Sequence, residues 1–109
     1  NKTHFFREEF HFEDLRDRVL PAFSKNKENI SIWCSASSTG EEPYSIAMTI
    51  LEANKLLSSN IKANIKANII ATDIDTNVLQ YAADGIYRYA KSSKEFPSWI
   101  KPQNYFKRK

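Results

Sequence analysis

Two different periods of hydrophobic and polar positions run along this chain, and the changes of period divide it into elements. Phe12, Leu15, Val19 and Phe23 recur at intervals of three or four, the stripe of an amphipathic helix, with Glu13, Arg16 and Asp17 on the other face. The pattern predicts a helix from Phe10 to about Phe23 that packs and does no chemistry. Pro21 should kink or end it, because proline lacks an N–H and crowds the preceding turn. Ser24 to Asn29 reads as a polar connector. Ile30, Ile32 and Cys34 then alternate as in a half-buried strand, whereas Ile46, Ala47, Ile50 and Leu51 return to helical spacing. Small and acidic residues lie between, and Pro43 suits the first turn of a helix, which places its start near Glu42.

Further on, Ile61-Lys62-Ala63-Asn64 is repeated directly as Ile65-Lys66-Ala67-Asn68. Eight residues of period four are too short for a solenoid, so the repeat is a lengthened surface loop or the frayed start of a strand. The dense apolar run Ile69-Ile70-Ala71 predicts a buried strand at about 67 to 72, which ends in Asp73-Ile74-Asp75. Val78, Leu79, Ala82 and Ala83 mark another amphipathic helix, closed by Gly85. From Ile86 to Phe106 aromatics alternate with Lys and Ser around Pro97 and Pro102, which suggests a loosely structured cover with one short helix at most.

The order helix, strand, helix, strand, helix contains a βαβ unit. It predicts an α/β fold whose two strands are parallel and joined by a right-handed crossover. Two strands do not complete a doubly wound sheet, so the expectation is the first part of a larger domain.

Composition narrows the function classes. With 109 residues, 41% of them hydrophobic, the chain supports one packed domain or part of one. The net charge of +3 comes from 16 basic and 13 acidic residues that are mostly interspersed, and the one basic run, Lys107 to Lys109, has the look of a solvated tail. Aromatic and basic interleaving without an RNP-like signature does not mark a nucleic-acid binder. A single cysteine, Cys34, excludes an internal disulfide and a multi-cysteine metal site, and His4 and His11 stand seven residues apart without a ligand pattern. No apolar run approaches the roughly 18 residues of a membrane span, and no signal peptide opens the chain. No membrane insertion is expected, and the cytoplasm is the expected compartment.

Candidate chemistry concentrates where the first strand meets its helix. First-turn N–H groups and the positive end of the helix dipole would face the Ser37 to Gly40 turn, favouring a carboxylate or a phosphate. The carboxyl end of the second strand adds two acids, and an acid there is placed to hydrogen-bond the hydroxyls of a ribose. Asp75 or Thr76 should cap the following helix; one cap suffices, which leaves Asp73 for another task. Asn1 to Arg7 has no periodicity, and taken alone it is an ordinary helix lead-in with Thr3 as a cap and Phe5 and Phe6 in the core.

Three blocks together give the chain a family likeness. Asn1-Lys2-Thr3-His4-Phe5-Phe6-Arg7 is similar to N-x-T-x-F-F-R, and Trp33 to Ser45 to W-x-A-x-x-S-x-G-E-E-P-Y-S. Ala71 to Asp75, with Gly85-Ile86-Tyr87, is similar to A-[ST]-D-I-D and G-x-Y. In this order and spacing the chain resembles the CheR-type chemotaxis receptor methyltransferases, which transfer a methyl group from S-adenosylmethionine to receptor glutamates. The resemblance implies a partial Rossmann-like methyltransferase fold, with residues 1–109 as the front part of the catalytic domain. The family's receptor-reading helical domain would precede Asn1, and its later strands would follow Lys109. It further implies that Asn1, Thr3, Arg7, Glu42 and Asp73 line the cofactor. Asp73 would take the ribose hydroxyls, Glu42 the methionine ammonium, and turn amides the carboxylate, with Gly40 allowing close approach. Arg7 would orient the incoming glutamate as the catalytic residue, and no metal is implied. The implied partner is the cytoplasmic region of a chemotaxis receptor; a non-catalytic S-adenosylmethionine-binding or regulatory module is the alternative.

Overall fold

Strand β1 (Ile30–Cys34) pairs in parallel with β2 (Ala67–Ala71), with Ile32 opposite Ile69 and Cys34 opposite Ala71. This arrangement comes from a computed structural model, which describes residues 3–25, 29–58, 67–88 and 93–107. The pairing continues past the strand ends: Thr72 N–H donates to the Cys34 carbonyl at 2.9 Å and Ser37 N–H to the Thr72 carbonyl at 2.8 Å. The segments leaving the two carboxyl ends therefore start side by side. Parallel strands around an intervening helix agree with the α/β, partial Rossmann-like expectation.

One face of the pair carries Ile30, Ile32, Cys34, Ala67 and Ile69, and α3 (Glu41–Ser58) packs on β2. The other face carries Trp33, 71% exposed, beside Ile70, 56% exposed. The expectation of a buried second strand is thus corrected: β2 is covered on one side only, so its alternate residues meet solvent. α3 buries Ser45, Ile46, Met48, Thr49, Ile50 and Ala53, a wider face than the sequence stripe. Leu51, expected on that stripe, is half exposed. The helix starts at Glu41, one residue earlier than expected.

The N-terminal helix does not stop at Pro21. It runs through α1 (Glu9–Asp14), a π-helical turn (Leu15–Val19) and α2 (Leu20–Lys25). Proline in an α-helix clashes with the carbonyl four residues back, and the wider π turn just before Pro21 relieves that contact. The inserted residue also shifts the stripe, so Leu20 is fully buried while Val19 is only half buried. Arg16, expected on the solvated face, stands 4.6 Å over the Trp99 ring and pairs with Asp17. Ile61 to Lys66 of the repeat lie outside the described residues, and its last two residues open β2.

The segment expected as a loose cover is part of the core. Between short 3₁₀ turns at Ser93–Glu95 and Pro102–Asn104, Ile100 is buried, with Phe96 and Trp99 packed alongside. Phe96 stacks on Phe5 at 5.2 Å, Phe106 meets Phe5 edge-on at 5.5 Å, and Trp99 meets Phe6 at 5.6 Å. Aromatic pairs of this kind add about 0.5–1.5 kcal/mol each beyond their buried area. Periodicity misses such a segment because its rings pack from irregular backbone. Among the described residues no helix is long and apolar enough to cross a membrane.

Candidate functional site

The turn between β1 and α3 is shaped by packing against α4 (Thr76–Asp84). Gly40 has φ 101°, and a Cβ there would come within 2.8 Å of both the Ala82 Cβ and the Tyr87 hydroxyl. Its lack of a side chain lets the turn approach α4, not a ligand, which corrects the role expected from the sequence. Tyr87 donates its hydroxyl to the Thr39 carbonyl at 2.6 Å, and Tyr44 donates to the Ala82 carbonyl at 2.7 Å. Two half-buried phenols thus tie the turn and the start of α3 to α4 and the segment after it; burial, Glu41 and the neighbouring Tyr44 and Tyr81 push the Tyr87 phenol well above its ordinary range.

After β2, Asp73 accepts the Ser38 N–H with one carboxylate oxygen and the Asp75 N–H with the other, both at 2.9 Å. Those amides, Asp75 first and then Ser38, hold its carboxyl below the usual range, so it is an anion across neutral pH. Asp75 caps α4 by accepting the Asn77 N–H at 2.9 Å, and Gly85 closes the helix in the left-handed region. Of the two residues expected as the cap, Asp75 takes the role, and Asp73 instead bridges the two loops through the Ser38 and Asp75 amides.

The expected use of turn amides for an anion needs correction. Ser37 N–H is taken by the Thr72 carbonyl, Ser38 N–H by Asp73 and Gly40 N–H by the Ser37 carbonyl. These three groups close the turn on itself and on the neighbouring loop, so they are not on offer to a carboxylate.

Thr3 to Arg7 runs along the other side. Phe5 is fully buried and Phe6 nearly so, as expected of core residues. Thr3 does not cap α1, because Glu8 stands at the N-cap position without a side-chain bond. Phe6 N–H donates to the Ser45 hydroxyl at 2.9 Å, which itself donates to the Glu41 carbonyl at 2.7 Å. Phe6 and Glu8, on either side of Arg7, have left-handed backbones, as do Ala36 and Ser38 on either side of Ser37. Such conformations cost on the order of 1 kcal/mol each for non-glycine residues and persist where the surroundings over-determine them. All four lie in or next to segments that wall one cavity.

That cavity has a volume of about 850 Å³, within the range of small-molecule sites. Thr3 and Arg7, Ser38 and Glu42, and Asp73 all line it. Four of the five sequence-predicted site residues, Thr3, Arg7, Glu42 and Asp73, are therefore brought together from segments far apart in the chain. Asn1 lies outside the described residues. The sequence missed Ile74, Val78 and Phe12 in the lining. Phe12 belongs to a helix expected only to pack, and Ile74, the apolar residue between two acids, is fully exposed, a signal that could have been weighed.

The lining has a definite chemical character. Three carboxylates (Glu42, Asp73, Asp75) and one guanidinium (Arg7) surround an apolar strip of Ile74 and Val78. An excess of carboxylates suits a ligand that is cationic overall and rich in hydroxyl or ammonium donors. Beneath Glu42, the buried Cys34 thiol is pushed up to about 11, first by burial and then by that carboxylate. A thiol so held stays protonated and unreactive at neutral pH.

Known proteins are similar to this chain along most of its length. The family model described as CheR methyltransferase, SAM binding domain, matches residues 1–109. A probable chemotaxis protein methyltransferase of Rhizobium etli is 47% identical over 90 residues, 80% of this chain and 32% of that protein. The chemotaxis protein methyltransferase of Vibrio parahaemolyticus is 42% identical over 92 residues, 80% of this chain and 30% of the relative. That of Escherichia coli is 39% identical over 108 residues, 99% of this chain and 34% of the relative. The chain thus spans about a third of the length of the curated relatives it matches. A family match along the whole chain, over a cavity walled by the same three sequence blocks, means that this chain belongs to the CheR methyltransferase family and carries sequence of its S-adenosylmethionine-binding domain.

Proposed function

We propose that the cavity holds S-adenosylmethionine and that the protein carrying this chain forms methyl esters on glutamate side chains in the cytoplasmic region of chemotaxis receptors. The observation that supports this most is the convergence of Thr3 and Arg7, Glu42, and Asp73 on one cavity with an acidic lining. The donor set fits the cofactor, which is cationic overall and presents two ribose hydroxyls and an ammonium. Asp73, fixed by two amides, accepts the ribose hydroxyls, and Glu42, at the start of α3, accepts the ammonium. Ile74 and Val78 offer an apolar surface to the purine ring.

When bound, the cofactor supplies an electrophilic methyl group on a sulfonium. Arg7 lines the same cavity and orients the attacking carboxylate by charge-assisted hydrogen bonds. A glutamate is ionised near neutral pH at its ordinary pKa of about 4.3, so no side chain of the site has to remove a proton. The contribution left to the protein is alignment and exclusion of water. The receptor's cytoplasmic region as substrate also puts the enzyme in the cytoplasm.

Transfer of a labelled methyl group to a receptor fragment tests the proposal. Base-labile label on glutamate is the expected result; tight binding of S-adenosylhomocysteine without transfer would instead favour a non-catalytic binding module.

A further inference from the structure

Two consecutive amides in the segment that carries Thr3 and Arg7 are held by side chains distant in sequence. Phe6 N–H is bound by Ser45 of the E-E-P-Y-S stretch. Phe5 N–H is bound, at 2.6 Å, by a carboxylate oxygen of Glu95, which belongs to no part of the cavity lining or of the three sequence blocks. Glu95 ends the 3₁₀ turn Ser93–Glu95, and its neighbour Phe96 stacks on the Phe5 ring. Backbone and side chain of Phe5 are therefore gripped by the last residue of one short turn and the residue after it.

The grip falls where the backbone needs it. Phe6 and Glu8 have φ of 53° and 57°, conformations that residues with a Cβ rarely hold without outside support. Arg7 sits between them, and Thr3 is two residues before Phe5. A carboxylate acceptor on a backbone N–H makes a shorter and stronger bond than a neutral one, so Glu95 is suited to hold a strained segment in a single arrangement.

We infer that Glu95 is a positioning residue for the cavity: its carboxylate fixes the Phe5 N–H and thereby the backbone that presents Thr3 and Arg7. The role rests on the cavity being the S-adenosylmethionine site. Glu95 does not line the cavity and acts through the Phe5 backbone.

The test uses the full protein with Glu95→Ala and Glu95→Gln. Glu95→Ala is expected to weaken S-adenosylhomocysteine binding about tenfold, because the unbraced segment has to be ordered again when the ligand binds, and to lower kcat at saturating cofactor. Glu95→Gln keeps an acceptor oxygen and is expected to stay within about threefold of the parent. Hydrogen exchange of the Phe5 amide reads the brace without any ligand and should speed up in Glu95→Ala, with Glu95→Gln in between. Parent-like affinity and exchange in Glu95→Ala would overturn the inference and leave the cofactor site standing. Equal losses in Ala and Gln would also overturn it, as would a lowered unfolding temperature with affinity and kcat unchanged. A folded parent that binds no S-adenosylhomocysteine would overturn the cofactor site itself, and the positioning role with it.

Discussion

The carboxylate of Asp73 accepts the backbone N–H of Ser38 at 2.9 Å, so the acid that follows β2 is tied to the turn that follows β1. The bond aims the carboxylate, and with the Asp75 amide it keeps Asp73 ionised. Asp73→Asn should therefore weaken S-adenosylhomocysteine binding by at least tenfold, because a charged acceptor is lost and one of the two amides then faces an NH₂ group. The lowered pKa carries a sign. Stability from these bonds is present above the unfolded carboxyl pKa of about 3.9 and is lost as pH falls through the lower folded value. Acid titration of unfolding should show the difference between parent and Asp73→Asn shrinking as pH falls below the unfolded carboxyl pKa; a difference that stays constant through the acid range would contradict the account.

Gly40 is a packing requirement. In Gly40→Ala the new Cβ meets Ala82 and the Tyr87 hydroxyl at 2.8 Å, on a backbone with φ of 101°. Positive-φ strain of about 1 kcal/mol and overpacking of about 1–3 kcal/mol predict a loss of about 2–4 kcal/mol. Urea unfolding measures it, and a loss below about 0.5 kcal/mol would mean that the turn and α4 separate freely.

How far the site was legible in the sequence follows from these contacts. The positions of β1, β2 and the start of α3 were readable because alternation, a dense apolar run and Pro43 with helical spacing each have a local cause, while the one-sided burial of β2 was not. A cap at Asp75 or Thr76 was readable for the same reason, whereas the two amides that hold Asp73 were not. The amides of Ser37, Ser38 and Gly40 were misread as ligand donors, since their partners, Thr72, Asp73 and Ser37, are chosen by the pairing of two loops. The packing of Phe96, Trp99 and Phe106 around Phe5 and Phe6 was invisible, because it has no period and joins opposite ends of the sequence. The π turn before Pro21 was half legible: proline announced a disturbance, but not that the helix would absorb it by widening.

Cys34 offers a probe of the strand that leads into the turn. With its thiol pushed up to about 11 by burial and by Glu42, it should react with a thiol reagent at pH 8 only as fast as the protein opens. A pKa raised by folding contributes stability fully present below the unfolded value of about 8.5 and lost as pH rises toward 11. Urea midpoints at pH 7 and pH 10 should differ more in the parent than in Cys34→Ala. Rapid labelling of the folded protein at pH 8 would refute the buried, protonated thiol.

Arg7 separates binding from turnover. If it orients the receptor carboxylate, Arg7→Ala should lower kcat on the order of a hundredfold, the cost of a misplaced reactant, with a smaller effect on S-adenosylhomocysteine affinity. Methyl-transfer kinetics beside calorimetry give both values. Equal losses in the two would assign Arg7 to holding the cofactor instead.

The central claim is that Thr3, Arg7, Glu42 and Asp73 wall a single S-adenosylmethionine site. Calorimetric titration of S-adenosylhomocysteine into the full protein, into Asp73→Ala and into Glu42→Ala tests it most directly. The account predicts saturable one-to-one binding that falls at least tenfold in each variant while thermal unfolding shows all three folded. Binding of equal strength in the parent and both variants, or none in a folded parent, would contradict it.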